Sequence, residues 1–117
     1  MIVAHDGDAL ATLEKELENQ GFNVLVFTDP NKALQDLWKN PKIADLVVSD
    51  SRMENMTGFE LARIVKEIRE DLSVILTSAF EINSDEFDKV LPSTRIDGFL
   101  TKPFHVNQLI DVIRQLD

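Results

Sequence analysis

The sequence predicts an α/β fold: one parallel β-sheet, doubly wound, with helices on both faces. Three observations lead there. Five short apolar runs alternate along the chain with five stretches whose apolar residues recur at helical spacing, and such alternation calls for parallel strands joined by right-handed crossovers. Polar residues of complementary kinds stand at the ends of four of the five runs, and in open α/β sheets ligands bind at that edge. The length of 117 residues suits one domain with one real core.

In chain order, Ile2-Val3-Ala4 is the first run, and it stops at His5-Asp6-Gly7-Asp8. Asp8 is expected to cap a helix with Leu10, Leu13 and Leu17 on one face, ended by Gly21. Val24 to Val26 reads as the second strand, closed by Thr28-Asp29-Pro30. Pro30 sits at a first helical position and opens a helix carrying Ala33, Leu34, Leu37 and a packed Trp38, which Asn40-Pro41 terminates. The chain is organised around the next stretch, Leu46 to Leu61. There an apolar run (Leu46 to Val48) meets Asp50, a polar loop closed by Gly58, and a helix from Phe59 with Leu61, Ile64, Val65 and Ile68 on one face. Leu72 to Thr77 is the fourth strand. Ser84-Asp85-Glu86 starts a weaker helix with Phe87, Val90 and Leu91, and Ile96 to Leu100 is a fifth strand interrupted by Gly98. A strong last helix carries Val106, Leu109, Ile110 and Ile113.

Composition narrows the functions. Hydrophobic residues make up 44% of the chain and charged residues 28%, an ordinary globular balance. A formal net charge of -9 repels nucleic-acid phosphates and argues against direct DNA or RNA binding. The absence of cysteine excludes disulfides, thiol catalysis and thiolate metal sites. No apolar run approaches the roughly 18 residues of a membrane span, and His5, Asp6 and Asp8 interrupt any signal peptide. A cytoplasmic domain without membrane partners is the expectation.

The strand ends carry the chemistry. His5 and Asp6 follow the first strand, Asp50 the third, Thr77 and Ser78 the fourth, and Lys102 the fifth. Two carboxylates held close repel one another, and a hard divalent cation between them relieves that repulsion. With a hydroxyl and an ammonium beside it, such a site can receive a phosphoryl group: metal and lysine neutralise charge while a carboxylate attacks. Each residue alone has an ordinary explanation. Asp6 and Asp50 suit turns, Ser78 can bond its own backbone, Lys102 can be solvated, and Met53 and Met56 read as loop packing. Their joint placement at one sheet edge is what argues for a site.

Asp50, Met53, Glu54, Met56 and Gly58, followed by Ser78-Ala79, Phe99 and Lys102-Pro103-Phe104, complete a pattern. In that order and spacing the sequence resembles a response-regulator receiver domain of two-component signalling, over essentially the whole of residues 1–117. The resemblance implies a flavodoxin-like (βα)5 domain with sheet order 2-1-3-4-5. It implies Asp50 as phosphoacceptor and Mg²⁺, or Mn²⁺ in its place, held weakly by Asp6, Asp50 and the backbone carbonyl of Arg52. Ser78 and Lys102 would contact the phosphoryl group, along with the backbone of Arg52 and Ala79. Lys102-Pro103 would be cis, and Phe99 would act with Ser78 as a switch. The implied partners are a histidine kinase or phosphotransfer protein and an output domain or downstream protein. The output would meet the face formed by the fourth helix, fifth strand and fifth helix, and a homodimer is a further option. Enzymatic activity would be confined to phosphoryl transfer to, and hydrolysis from, Asp50 itself.

Two departures from the family pattern bear on this. Glu54 replaces the usual proline, which should loosen the loop slightly. His5 stands where the family usually has the first of two acids, so one negative charge and one oxygen ligand are missing from the metal's surroundings. That opens a second reading: a phosphate-independent pseudo-receiver, an interaction module with a vestigial metal site. Asp6-Gly7-Asp8 also imitates the nucleophile motif of haloacid-dehalogenase phosphatases, but that family's Asp-Gly-Thr continuation is missing and there is no room for a cap. The chain ends just after the last helix, so it is expected to be either a stand-alone regulator or the receiver of a longer regulator or hybrid kinase.

Overall fold

The computed structural model describes residues 1–4, 7–53, 56–78 and 96–116. Strands β1 (Ile2–Val3), β2 (Val26–Phe27), β3 (Leu46–Asp50), β4 (Ser73–Ser78) and β5 (Gly98–Thr101) form one sheet in the order β2-β1-β3-β4-β5. Every pairing is parallel. The described helices are α1 (Gly7–Asn19), α2 (Pro30–Lys39), α3 (Gly58–Ile68) and α4 (Val106–Gln115). The helix expected from Ser84 lies outside the described residues.

Strand alternation splits the core in two. Successive side chains of a strand point to opposite faces, so a sheet covered on both faces needs strands that are apolar at every position. Val47, Val74 and Leu76 pack with Leu37 of α2 and Leu61 and Val65 of α3. Val48 and Ile75 pack on the other face with Leu10 and Leu17 of α1 and Leu109 and Ile110 of α4. Met53 and Met56 pack against the α2–α3 cluster.

Local signals set the helix starts. The Asp29 side chain accepts from the Asn31 N–H at 2.9 Å ahead of Pro30, and Thr57 Oγ1 accepts from the Glu60 N–H at 3.1 Å ahead of Gly58. Gln108 Oε1 accepts from the His105 N–H at 2.7 Å and closes the entrance to α4.

Several expectations shift, among them the fourth strand, which is Ser73–Ser78 and not Leu72 to Thr77, and the fifth, which is Gly98–Thr101 and not Ile96 to Leu100. The first helix begins at Gly7, so Asp8 lies within its first turn and is not the cap. The second strand is Val26–Phe27 and not Val24 to Val26, because Ile2 pairs with Val26 and Val3 with Phe27. The Ile2 N–H reaches only back to the Leu25 carbonyl, at 2.7 Å. Trp38 does not pack: it is 70% exposed, one position beyond the buried stripe of Ala33, Leu34 and Leu37.

Gly98 is a place of contact. A Cβ there would stand 2.8 Å from Val112 Cγ1 and 3.4 Å from Ile75 Cγ1, so the missing side chain lets α4 settle onto β5. At the opposite end of the sheet, Asp97 Oδ2 accepts from Lys66 Nζ at 2.8 Å and from the Val74 N–H at 2.8 Å. The Lys66 and Asp97 side chains are 15% and 8% exposed, so this ion pair ties α3 to the start of β4 and β5 in a sheltered setting. Removing one member of a buried pair strands the other and costs about 3 kcal/mol or more. Asp97→Ala is therefore expected to lower stability by about 3 kcal/mol in urea unfolding. Asp97→Asn should cost less, because an amide oxygen still accepts from Val74.

Candidate functional site

Asp50 and Thr77 are register partners on adjacent parallel strands. Partners in register put their side chains on the same face, next to each other. Thr77 Oγ1 accordingly donates a hydrogen bond to Asp50 Oδ1 at 2.6 Å. Lys102 reaches the same oxygen from β5, its Nζ 2.7 Å from Oδ1. The ladder continues one step beyond the strand end, with the Lys102 N–H donating to the Ser78 carbonyl at 2.7 Å. The Lys102–Pro103 peptide bond is cis.

This arrangement satisfies a costly group. The Asp50 side chain is 8% exposed and the Lys102 side chain 41%. An ionised carboxylate withdrawn from water needs a countercharge and hydrogen bonds, and here both converge on one oxygen. Among the described residues both side-chain contacts to the carboxylate fall on Oδ1, and none falls on Oδ2.

The loop after Asp50 folds back tightly. The Ser51 N–H donates to the Thr77 carbonyl at 2.7 Å, the Gly58 N–H donates to the Ser51 carbonyl at 2.8 Å, and Arg52 bridges Thr57 antiparallel. Ser49 Oγ donates to the Asp50 carbonyl at 3.0 Å and lies 3.8 Å from Met53 Sδ. Gly58 is required by space. A Cβ there would run into the Asp50 carbonyl oxygen and stand 2.9 Å from Ser51 Cα. A groove of about 950 Å³ opens beside the edge between α1 and α4, with Leu10, Leu13, Asp50, Thr77, Lys102 and Phe104 in its lining.

Of the residues singled out in the sequence, Asp50 and Lys102 meet directly. Ser78 is buried at the same edge, one residue beyond Thr77. Arg52 lies exposed on the loop, and Phe99 is half-buried against the α2–α3 cluster. His5, Asp6 and Ala79 lie outside the described residues. The sequence marks Thr77 only as a strand-end hydroxyl and does not show its direct bond to Asp50. The signal was there in principle, since two parallel strands of fixed register place one residue of each side by side.

A family model for the response regulator receiver domain matches residues 1–114. The chain belongs to that family. It is 34% identical over 110 residues to the heme response regulator HssR of Staphylococcus saprophyticus, covering 94% of this chain and 47% of the relative. It is 31% identical over 116 residues to the response regulator receiver protein CpdR of Brucella abortus, covering 99% of this chain and 93% of CpdR. The receiver domain thus spans about half the length of HssR and nearly all of CpdR. A response regulator receiver domain structure from Clostridium thermocellum superposes with a TM-score of 0.86 at 21% identity, covering 98% of this chain and 90% of that one. That likeness shows the fold alone. The receiver is a signalling domain of two-component systems, in which response regulators partner with histidine kinases. No described helix is long and apolar enough to cross a membrane.

The two close-packed glycines should respond differently to alanine. At Gly58 the added methyl meets backbone, which cannot rotate away; at Gly98 it meets the Val112 side chain, which can. Overpacking costs about 1 to 3 kcal/mol. Gly58→Ala is expected near about 3 kcal/mol and Gly98→Ala near about 1 kcal/mol, read from chemical denaturation of both variants.

Proposed function

We propose that Asp50 accepts a phosphoryl group from a partner histidine kinase or phosphotransfer protein. The observation that carries this reading is the divided carboxylate, with Oδ1 held by Thr77 and Lys102 and Oδ2 unengaged among the described residues. In the reaction Oδ2 attacks phosphorus. The bond from phosphorus to the donor breaks, its electron pair leaves with the donor, and an acyl phosphate forms on Asp50. Lys102 then follows the new charge to the phosphoryl oxygens, its long side chain being partly exposed and free to swing. Ser78 donates to one phosphoryl oxygen, and the backbone N–H groups of Arg52 and Ala79 contact others. Phe99 changes packing as Ser78 turns and passes the change to the surface of β5, α4 and the predicted helix before β5. An output domain or downstream protein, or a second copy of the chain, reads that surface.

A buried carboxylate such as Asp50 offers hard oxygen of the kind that fits Mg²⁺ or Mn²⁺. Mg²⁺ keeps several waters and is usually held through one or two carboxylates. Asp50, Asp6 and the Arg52 carbonyl would hold it, with His5 acting at most through a metal-bound water. When bound, the metal neutralises charge on the phosphoryl oxygens.

The test is direct. Treated with acetyl phosphate and Mg²⁺, the chain should gain about 80 Da (one phosphoryl group) on Asp50. Asp50→Ala should remain unlabelled while keeping its circular dichroism spectrum, and stoichiometric labelling of that variant would remove Asp50 as the acceptor.

His5 supplies the one observation favouring the pseudo-receiver reading. Loss of a group that orients a metal's surroundings costs about 10- to 100-fold in affinity. His5→Asp is therefore expected to tighten Mg²⁺ binding by about that factor at pH near 7.5, where an ordinary histidine is mostly neutral. Metal titration of both chains checks it. Equal affinities would put His5 outside the metal's surroundings, and no binding by the natural sequence at tens of millimolar would favour the vestigial module.

A further inference from the structure

We infer that the Thr77 hydroxyl sets the lifetime of the phosphorylated state by stabilising the Asp50 carboxylate more than the acyl phosphate made from it. The inference rests on Asp50 being the phosphoacceptor and extends that reading to a strand-end hydroxyl to which the family pattern gives no role.

Three features carry it. The Thr77 Oγ1 to Asp50 Oδ1 distance of 2.6 Å is in the range of O–H···O⁻ bonds, which are short because the acceptor is charged. Thr77 is 3% exposed, so water does not readily replace its donor. The residue is also fixed. It is β-branched, it sits inside a parallel ladder between Asp50 and Leu100, and its own carbonyl accepts the Ser51 N–H at 2.7 Å. Lys102, the other group on Oδ1, has a long side chain that is 41% exposed and can depart for the phosphoryl group. Thr77 cannot follow, so it remains the donor to Oδ1.

In the free carboxylate, negative charge is shared between Oδ1 and Oδ2, and Oδ1 is a strong acceptor. Once phosphorus is bonded to Oδ2, Oδ1 is the carbonyl oxygen of an uncharged acyl group and a weaker acceptor. During hydrolysis a water attacks phosphorus, the P–Oδ2 bond breaks, and its electron pair returns to the carboxyl group. The water's proton passes to solvent, and inorganic phosphate leaves. Charge therefore grows on Oδ1 as the bond breaks, most strongly in a loose transition state, and the Thr77 hydrogen bond strengthens with it. The same bond withdraws charge from the nucleophile and slows its attack on a donor. Thr77 accordingly works against the phosphorylated state in both directions.

A hydrogen bond to a charged group is strong enough to change a rate by tenfold or more when fully expressed, and only part of it changes between ground and transition state. Thr77→Val keeps the branched shape and strand preference and removes the donor. The chain is labelled with acetyl phosphate and Mg²⁺, the donor is removed, and loss of the phosphoryl group is followed by intact mass. Decay is expected to slow by about 5- to 10-fold, and initial labelling to quicken by a few-fold. Thr77→Ser should decay within about twofold of the natural sequence. Thr77→Cys, with its weak S–H donor, should fall between Ser and Val and serves if the valine variant does not fold.

A merely structural role for Thr77 would impair labelling, or leave Val and Ser alike. Equal decay of Thr77→Val and the natural sequence overturns the inference, as does slower labelling of the valine variant or its failure to label while Thr77→Ser labels. Should the natural chain carry no phosphoryl group on Asp50, the acceptor assignment falls and this inference with it. Normal labelling with an unchanged lifetime overturns the inference alone.

Discussion

A carboxylate buried at a sheet edge must be answered from within the protein, and the structure at that edge is arranged to answer it. Water cannot solvate a side chain as enclosed as Asp50, and an unpaired charge there would cost several kcal/mol or take up a proton instead. Thr77 and Lys102 supply the answer from two neighbouring strands, both on Oδ1. The consequence is asymmetry. One oxygen is committed to holding the side chain in place, while the other has no close donor among the described residues. A carboxylate can react only through an oxygen whose lone pair no donor holds.

The rest of the fold can be read as what keeps those three residues in register. Thr77 faces Asp50 only because β3 pairs with β4 in parallel over the full length of β3, from Leu46 with Ser73 to Asp50 with Thr77. Lys102 arrives only because β5 continues the ladder to Ser78 and Thr101. The two apolar layers fix the sheet between helices, and the glycines permit the closest approaches. Gly58 brings the start of α3 against the backbone of Asp50 and Ser51, and Gly98 lets α4 down onto β5. At the far end of the sheet, Asp97 ties Lys66 to the Val74 N–H and anchors α3 where β4 begins. The geometry at one edge thus depends on packing and polar satisfaction at the other.

Much of this was legible in the sequence, for identifiable reasons. Apolar runs such as Val47-Val48 and Val74-Ile75-Leu76 can be buried on both faces only in a covered parallel sheet, so the class of fold followed from them. Asp29 before Pro30 and Gly58 after the polar loop marked element ends through local chemistry. The order of the strands was not legible from periodicity and came from family resemblance. The second strand was misplaced because Val24, Leu25 and Val26 are similarly apolar, and pairing with Ile2 and Val3 selects among them. Trp38 was misread because composition cannot tell a residue at the border of a helical stripe from one inside it. Thr77 was overlooked for a related reason: its role depends on which residue of β3 it faces, and register is a property of two strands. Asp50 and Lys102 could be singled out as candidates because a carboxylate and an ammonium at strand ends draw notice without a known partner, and the structure brings the two together.

The proposed division of Asp50 into a held oxygen and a reacting one would be visible in the phosphoryl-bound state. A crystal structure of the chain with Mg²⁺ and beryllofluoride, a stable mimic of the phosphoryl group, tests it most directly. Beryllium is expected to bond to Oδ2 of Asp50, with Lys102 turned to the fluoride atoms and Thr77 Oγ1 still within hydrogen-bond distance of Oδ1. Beryllium on the oxygen that Thr77 holds, with the threonine hydroxyl displaced, or an adduct on any other residue, would contradict it.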